Sequence, residues 1–357
     1  MSTLLAPSSI GEALDRLTIL QLKLQYIQDK RKEDVQREYD DLYDLVKDFI
    51  AKDTYHYEKL LLVNKIMWDI QDILHEGKAK DKEHEYELMK DLAVQNQRRF
   101  RIKRTLNENL GSKHREQKGY KGKKIFLLSH LGMGDQLFLN GAVRFFATYY
   151  DEVRIVVKKT TLDNVKTLYR DEPSVTFHVI HDDIEISPKF GCPVETFQKA
   201  VEGFDGVGLC GFHANGSKME LFPLNFYSEL GLSKEVMMEW SHIPSLQQAL
   251  PEEPFIFYNN TSSNQTMNIP VDIDKNLIIN PAVNVYPQNH RWHSLAQKWV
   301  GLPLFSYTEL LQKSAQLLMV DSSFFCMALL LGLKPEVWCR NKRSYLHVQS
   351  ELIEHLN

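Results

Sequence analysis

The sequence predicts an α/β protein: an all-α helical domain followed by two parallel-sheet halves. Three observations predict it. No proline stands between Pro7 and Pro173, so nothing breaks the helical periodicity that runs through the amino-terminal third. Beyond residue 120, short apolar runs alternate with helical segments, the pattern of parallel sheets covered on both faces. The first such run, Ile125-Phe-Leu-Leu128, enters a glycine-containing turn and then a helix.

The helical part reads as four amphipathic segments. Ser9 with Glu12 three residues later has the form of a capping box. Leu14, Leu17, Leu20 or Gln21, Leu24 and Ile27 follow at helical spacing. Val35 to Ile50 repeats the pattern with Tyr39, Leu42, Leu45, Val46 and Phe49. Leu60 to Leu74 carries Val63, Ile66, Met67, Ile70 and Leu74, with Gly77 placed as a C-cap. The fourth runs from about Glu83 to Leu110 and stops at Gly111. Four such helices make a bundle or hairpin array over 1–112. Arg98, Arg99, Arg101, Lys103 and Arg104 form a basic run, expected as a solvated face with phosphate or anionic lipid as the ligand alternative. Tyr57, Trp68 and Tyr86 are expected in the core, with stacking surfaces as the alternative.

Residues 113–124 are polar and glycine-containing and read as a linker. Strands are expected at 153–157, 175–180, 206–210, 254–258, 277–279, 317–320 and 336–338. Helices are expected at 137–147, 161–169, 294–300, 308–313 and 324–331. Pro244, Pro251 and Pro254 mark a seam that divides this region into Rossmann-like halves, 125–250 and 251–357. Ligands of such folds sit at the carboxyl ends of the strands.

Composition narrows the function. A net charge of −4 argues against nucleic acid as the main partner. No apolar run reaches the roughly 18 residues a membrane span needs. The first residues lack the basic region and apolar core of a signal peptide. Cys192, Cys210, Cys326 and Cys339 are scattered, as reduced thiols of a cytoplasmic protein would be.

The turn Ser129-His-Leu-Gly-Met-Gly-Asp-Gln-Leu-Phe-Leu-Asn140 carries the chemistry. Gly132 and Gly134 let backbone N–H groups approach a ligand, and a helix N-terminus favours negative charge. Asp135 in the first helical turn repels a phosphate there and suits a neutral hydroxyl, as a catalytic base would. The alternative is a plain helix cap. At the end of the seventh expected strand, Val320-Asp-Ser-Ser-Phe324 suits a diphosphate, or again a plain cap. Asn259, Asn260 and Asn280 end neighbouring strands, and Arg291 follows as a planar clamp for phosphate.

Gly132-x-Gly-Asp-x-Leu137, Leu277-Ile-Ile-Asn-Pro281, Arg291-Trp-x-x-Leu-Ala296 and Val320-Asp-Ser-Ser-x-x-x-x-Ala328 resemble the GT-B glycosyltransferases related to lipopolysaccharide heptosyltransferases. The order and approximate spacing match over 123–345. The resemblance implies a GT-B-like pair of halves, with Asp135 as the base and Asp321, Ser322 and Ser323 on the donor diphosphate. This chain has Phe138 where that family commonly has histidine, and Ser323 where it has glycine. The Gly-x-Gly-Asp-Gln string also resembles the Gly-x-Gly-Asn-Gln turn of some fucosyltransferases. In the helical part, Ile10–Leu20, Val63–Ile70 and Asn96-x-Arg-Arg-x-x-Ile-Lys103 resemble a bacterial domain of unknown function found near surface-polysaccharide genes.

Other candidates are His130 and His213 as second bases or hydroxyl binders, and Asp272-Ile-Asp274, which has the form of a metal-holding motif but is expected at the surface. His290 and His293 lack zinc spacing. The expectation is a metal-independent, inverting glycosyltransferase with no cofactor, using a nucleotide-diphosphate sugar and a glycan acceptor. The helical domain is expected to serve homo-oligomer or partner contacts, or a peripheral membrane contact through Arg98–Arg104. The competing readings are a non-catalytic glycan- or nucleotide-binding module and a nucleotide-sugar epimerase, the latter without the Tyr-x-x-x-Lys pair it needs.

Overall fold

A computed structural model describes residues 7–119, 121–187, 191–210, 224–262, 266–268 and 270–338. The chain divides into two compact units. The first comprises Met1–Lys124, Phe146–Val153 and Asp171–Thr176; the second comprises Ile125–Phe145, Arg154–Arg170 and Phe177–Asn357. The first unit thus takes in two segments that the sequence reading assigned to the half beginning at residue 125.

The first unit is built on α1 (Ile10–Tyr26), α2 (Arg31–Lys52), α3 (Thr54–His75) and α4 (Lys82–Asn109). Ser9 Oγ accepts from Glu12 N–H at 3.1 Å and caps α1. Glu12 pairs with Lys103 Nζ at 2.7 Å. Gly77 and Gly111 both have positive φ and end α3 and α4. Each sits in a Schellman closure, with Lys78 N–H bonded to Ile73 and Ser112 N–H to Asn107. α2 differs from expectation: it buries Val46 alone, and Leu45 is 75% exposed. It lies chiefly against α1, so its apolar stripe is covered on one side only.

The carboxyl-terminal part of α4 is buried on nearly every side, including Arg98, Arg101 and Lys103. The basic run is therefore not a solvated face. Arg99 pairs with Asp15 of α1, and Arg101 and Arg104 share Asp151 at 3.0 and 2.9 Å. Buried cations need such partners. Here they come from segments too distant for local periodicity to reveal. Tyr57 is buried, Trp68 stacks on Tyr26 at 5.3 Å, and Tyr86 is exposed beneath Lys90.

Two four-stranded sheets follow. The first contains β1 (Lys124–Leu128), β2 (Glu152–Lys158), β3 (Val175–Ile180) and β4 (Gly206–Leu209), in the order β3-β2-β1-β4. β1 and β4 are parallel, with Ile125 opposite Gly206. The second contains β5 (Phe255–Asn259), β6 (Leu277–Ile279), β7 (Gln316–Val320) and β8 (Glu336–Trp338), in the order β6-β5-β7-β8, all pairs parallel. β1, β5, β6 and β7 are near-continuous apolar runs, as strands covered on both faces require.

The helices that position the site are α5 (Met133–Ala147) after β1 and α6 (Leu162–Leu168) after β2. They are followed by α7 (Val194–Val201), α8 (Leu224–Glu229), α9 (Glu235–Trp240), α10 (His293–Ala296), α11 (Thr308–Lys313) and α12 (Ser323–Leu330). The proline seam packs on the second sheet's helices: Thr308 Oγ1 donates to Pro244 O at 2.8 Å and Trp299 Nε1 to Ala249 O at 3.0 Å. Among the described residues no helix is long and apolar enough to cross a membrane.

Candidate functional site

The site is built at the carboxyl ends of the two sheets within the second unit. β1 ends at Leu128, and Ser129, His130 and Leu131 lead into α5. Gly132 is exposed at the turn, and its N–H donates to Asp135 Oδ2 at 3.1 Å. Asp135 thus reaches back from the first turn of α5, the acidic half of a capping box. That bond employs the Gly132 N–H, which the sequence reading offered to the donor. A Cβ on Gly132 would lie 2.6 Å from the same Asp135 oxygen, so the carboxylate is seated where only glycine leaves room.

Asp135 is half-buried, and its carboxyl is held above the ordinary range. Burial is the main cause, and the nearby Asp321 adds to it. His130 and the Gly132 N–H oppose the shift. His130 lies edge-on to Phe226 at 5.9 Å. The Asp135–Asp321 interaction brings the first sheet's glycine turn to the turn after β7. Packing agrees: a Cβ on Gly134 would stand 2.9 Å from Cys326 Sγ. The amino-terminal turns of α5 and α12 therefore meet at close range.

The second sheet supplies a polar rim. Ser322 is the N-cap of α12, its Oγ accepting from Phe325 N–H at 3.4 Å. Asn259 Nδ2 donates to the same Oγ at 2.8 Å. Asn280 Nδ2 donates to Asn260 Oδ1 at 3.2 Å, and Asn280 Oδ1 accepts from Ala282 N–H at 2.8 Å. Asn259 and Asn280 are buried. Since β6, β5 and β7 are adjacent, these bonds join three strand ends into one edge. Ser323 opens α12 beside them.

Arg291 is not at this edge. Its Nη2 donates to Asp274 O at 3.1 Å, three residues before β6, and the guanidinium stacks on Trp292 at 3.9 Å. Trp292 Nε1 in turn donates to Glu253, which precedes β5. Arg291 belongs to the amino end of the sheet, opposite Asn280, because its loop folds back along the strand. Asp272 closes the same loop, its Oδ1 accepting from Asp274 N–H at 3.1 Å while Lys275 pairs with its Oδ2. His290 stacks on Tyr286 at 4.4 Å, and His293 opens α10. His213 and Cys339 lie outside the described residues. Among those described, no three His, Cys, Asp or Glu side chains are grouped to hold a metal.

Sequence reasoning missed the supports of α5. Tyr227 on α8 donates to Phe138 O at 2.7 Å and accepts from Ala142 N–H at 3.2 Å. A Cβ on Gly141 would clash with Val236 O and Met237 O at 2.7 Å, so α5 meets α9 backbone to side. Asn140 Nδ2 donates to His242 O at 2.7 Å. Each partner lies about a hundred residues away, and the available signal was the small Gly141 within an apolar helix.

Residues 7–127 match a family of unknown function, DUF6165. No curated protein matches the chain. A similar solved structure is the bacterial iron-containing dodecameric glycosyltransferase TibC from enterotoxigenic E. coli H10407. It is 12% identical, covers 68% of this chain and 77% of its own, and has a TM-score of 0.37.

Proposed function

We propose that the chain is a glycosyltransferase acting in surface-glycan synthesis. It moves a sugar from a nucleotide-diphosphate sugar to a glycan hydroxyl, by inversion and without a metal. The single observation that carries this reading is Asp135. It is a half-buried carboxylate with an affinity for protons raised by burial, at the meeting of two helix N-termini. A base must take a proton from a hydroxyl as the sugar bond forms, and a raised pKa makes a carboxylate better at that. The N-terminal turn of α12 stabilises charge on the departing diphosphate, the start of α5 being taken by Asp135. The motif resemblance over 123–345 supports the same roles. Arg291 is left out of the donor site, because its guanidinium is engaged at the opposite strand ends.

A second reading, a non-catalytic glycan- or nucleotide-binding module, is favoured by one observation. Asp135 accepts from the Gly132 N–H as the acidic half of a capping box, a structural role that needs no catalysis. The two readings separate in one experiment. A panel of nucleotide sugars is screened for protection against thermal unfolding, since a ligand at a hundred times its Kd adds about 2.7 kcal/mol. The protecting donors are then incubated with glycan acceptors and labelled sugar transfer is measured. Protection with transfer supports the enzyme; protection without transfer supports the binding module.

A further inference from the structure

The geometry points to a second ligand site, in the first unit, for a small soluble phosphate compound. A cavity of about 340 Å³ is lined by Val94, Gln97, Arg98, Arg101, Lys121, Lys123 and Tyr149. Four of these seven side chains are cations, and none is a carboxylate. The volume falls within the range of small-molecule pockets.

The floor is rigid. Arg98 donates to Thr148 Oγ1 at 3.0 Å and to Gln95 Oε1 at 2.9 Å, and its guanidinium lies 4.7 Å over the Tyr149 ring. Arg101 is 5% exposed and is anchored by Asp151 and by Thr148 O. Its Nε is buried and meets no acceptor among the described residues. A buried guanidinium N–H left over in this way wants an acceptor, and a phosphate oxygen supplies one. Asp151 does not neutralise the group, because it is divided between Arg101 and Arg104 and also accepts from Lys123 N–H.

The rim is different in character. Lys121 and Lys123 are exposed on the segment that leads into β1. Ammonium groups on flexible stems act as point charges on a phosphate that a planar arginine has oriented. Val94 and the Tyr149 ring give the cavity an apolar wall. The combination fits a phosphate monoester with a compact organic body better than a bare anion.

The test uses the full chain and reads the site itself. Lysines are acylated with and without inorganic phosphate, glucose 1-phosphate or glucose, and modification is mapped by mass spectrometry. Saturable protection of Lys121 and Lys123 by glucose 1-phosphate, weaker protection by phosphate and none by glucose is the expected result. Lys80 and Lys82, exposed cations at the start of α4, should be unprotected. The Lys121→Gln/Lys123→Gln double variant should bind glucose 1-phosphate about tenfold more weakly or worse, the scale of one lost charge-assisted contact. Lys80→Gln/Lys82→Gln should bind as wild type. Equal weakening in both pairs would reduce the effect to net charge and overturn the site. So would an absence of saturable protection. Protection by phosphatidylserine vesicles, but not by soluble phosphates, would also overturn it in favour of a membrane contact. The readout is independent of sugar transfer, so the proposed activity and this site fail separately.

Discussion

His56 and Glu172 are 116 residues apart in the chain and meet at 3.2 Å between Nε2 and Oε2. On its other side the imidazole meets Asp53 Oδ1 at 2.8 Å. All three side chains are buried. Burial opposes the charged ring, yet the bonds and charges of Asp53 and Glu172 outweigh it and raise its pKa to about 9. A folded pKa above the unfolded value of 6.5 stabilises the fold fully below pH 6.5. The contribution declines from there and is gone above about 9. Urea midpoints measured from pH 6 to pH 10 should therefore fall in the wild type and fall less in His56→Gln. Parallel pH slopes would show that His56 is not the charged member of this cluster.

The same contacts bear on where the chain can be cut. A linker at 113–124 would let a chain starting near Gly119 fold as an independent module. In the structure, Phe146–Val153 and Asp171–Thr176 belong to the unit built on the four helices. Removing the helices strips Arg98 from Thr148, Arg101 from Asp151 and His56 from Glu172. Leaving one member of a buried ion pair behind costs about 3–5 kcal/mol. The truncated chain should be insoluble or melt far below the full chain in a calorimetric scan. A soluble fragment with a cooperative transition near that of the full chain would restore the module.

These cases mark what the sequence discloses. Period and capping are local, so the four helices, the Gly77 and Gly111 ends and the eight strands were legible residue by residue. So was the shared edge of Asn259, Asn280 and Ser322, because strand ends of one parallel sheet gather on one side. The destination of a long polar side chain is not local. Arg98 to Arg104 read as a surface run because their acceptors are Asp15, Thr148 and Asp151. Arg291 read as a clamp because nothing in its own loop says that the loop returns to Asp274. Leu45 read as core because a helix pattern does not say how many neighbours the helix has.

Asp272-Ile-Asp274 is expected to be structural. Asp272 is already occupied by two backbone N–H groups and Lys275. Chelation with EDTA should leave transfer unchanged, and Asp272→Asn should alter it little while lowering thermal stability slightly. Loss of transfer in chelator, restored by manganese or magnesium, would reassign the motif to the donor.

Gly134 is where α5 and α12 touch. Its φ is not in the left-handed region, so the constraint is space rather than backbone strain. A methyl there meets Cys326 Sγ at 2.9 Å. Gly134→Ala should destabilise by about 1–3 kcal/mol, the scale of overpacking. Cys326→Ala should relieve part of that, giving a coupling of about 0.5–3 kcal/mol in a double-mutant cycle from denaturant melts. Strict additivity would mean that the two helix starts do not press on each other.

Asp135→Asn separates a base from a cap. Asparagine caps about as well as aspartate, and its oxygen can still accept from Gly132 N–H. The raised pKa of Asp135 means that its ionisation at neutral pH works against folding. Removing the charge should therefore leave the melting temperature unchanged or slightly higher. Transfer should fall about 10²–10⁴-fold, the contribution of a positioned base, while thermal protection by the donor persists. The wild-type rate should decline on the acid side at a pH above the ordinary carboxylate value, as the base becomes protonated. A variant that melts lower and transfers normally would make Asp135 a cap. A variant that melts as wild type, binds donor and does not transfer would make it the base, because the cap has been kept and the proton acceptor removed.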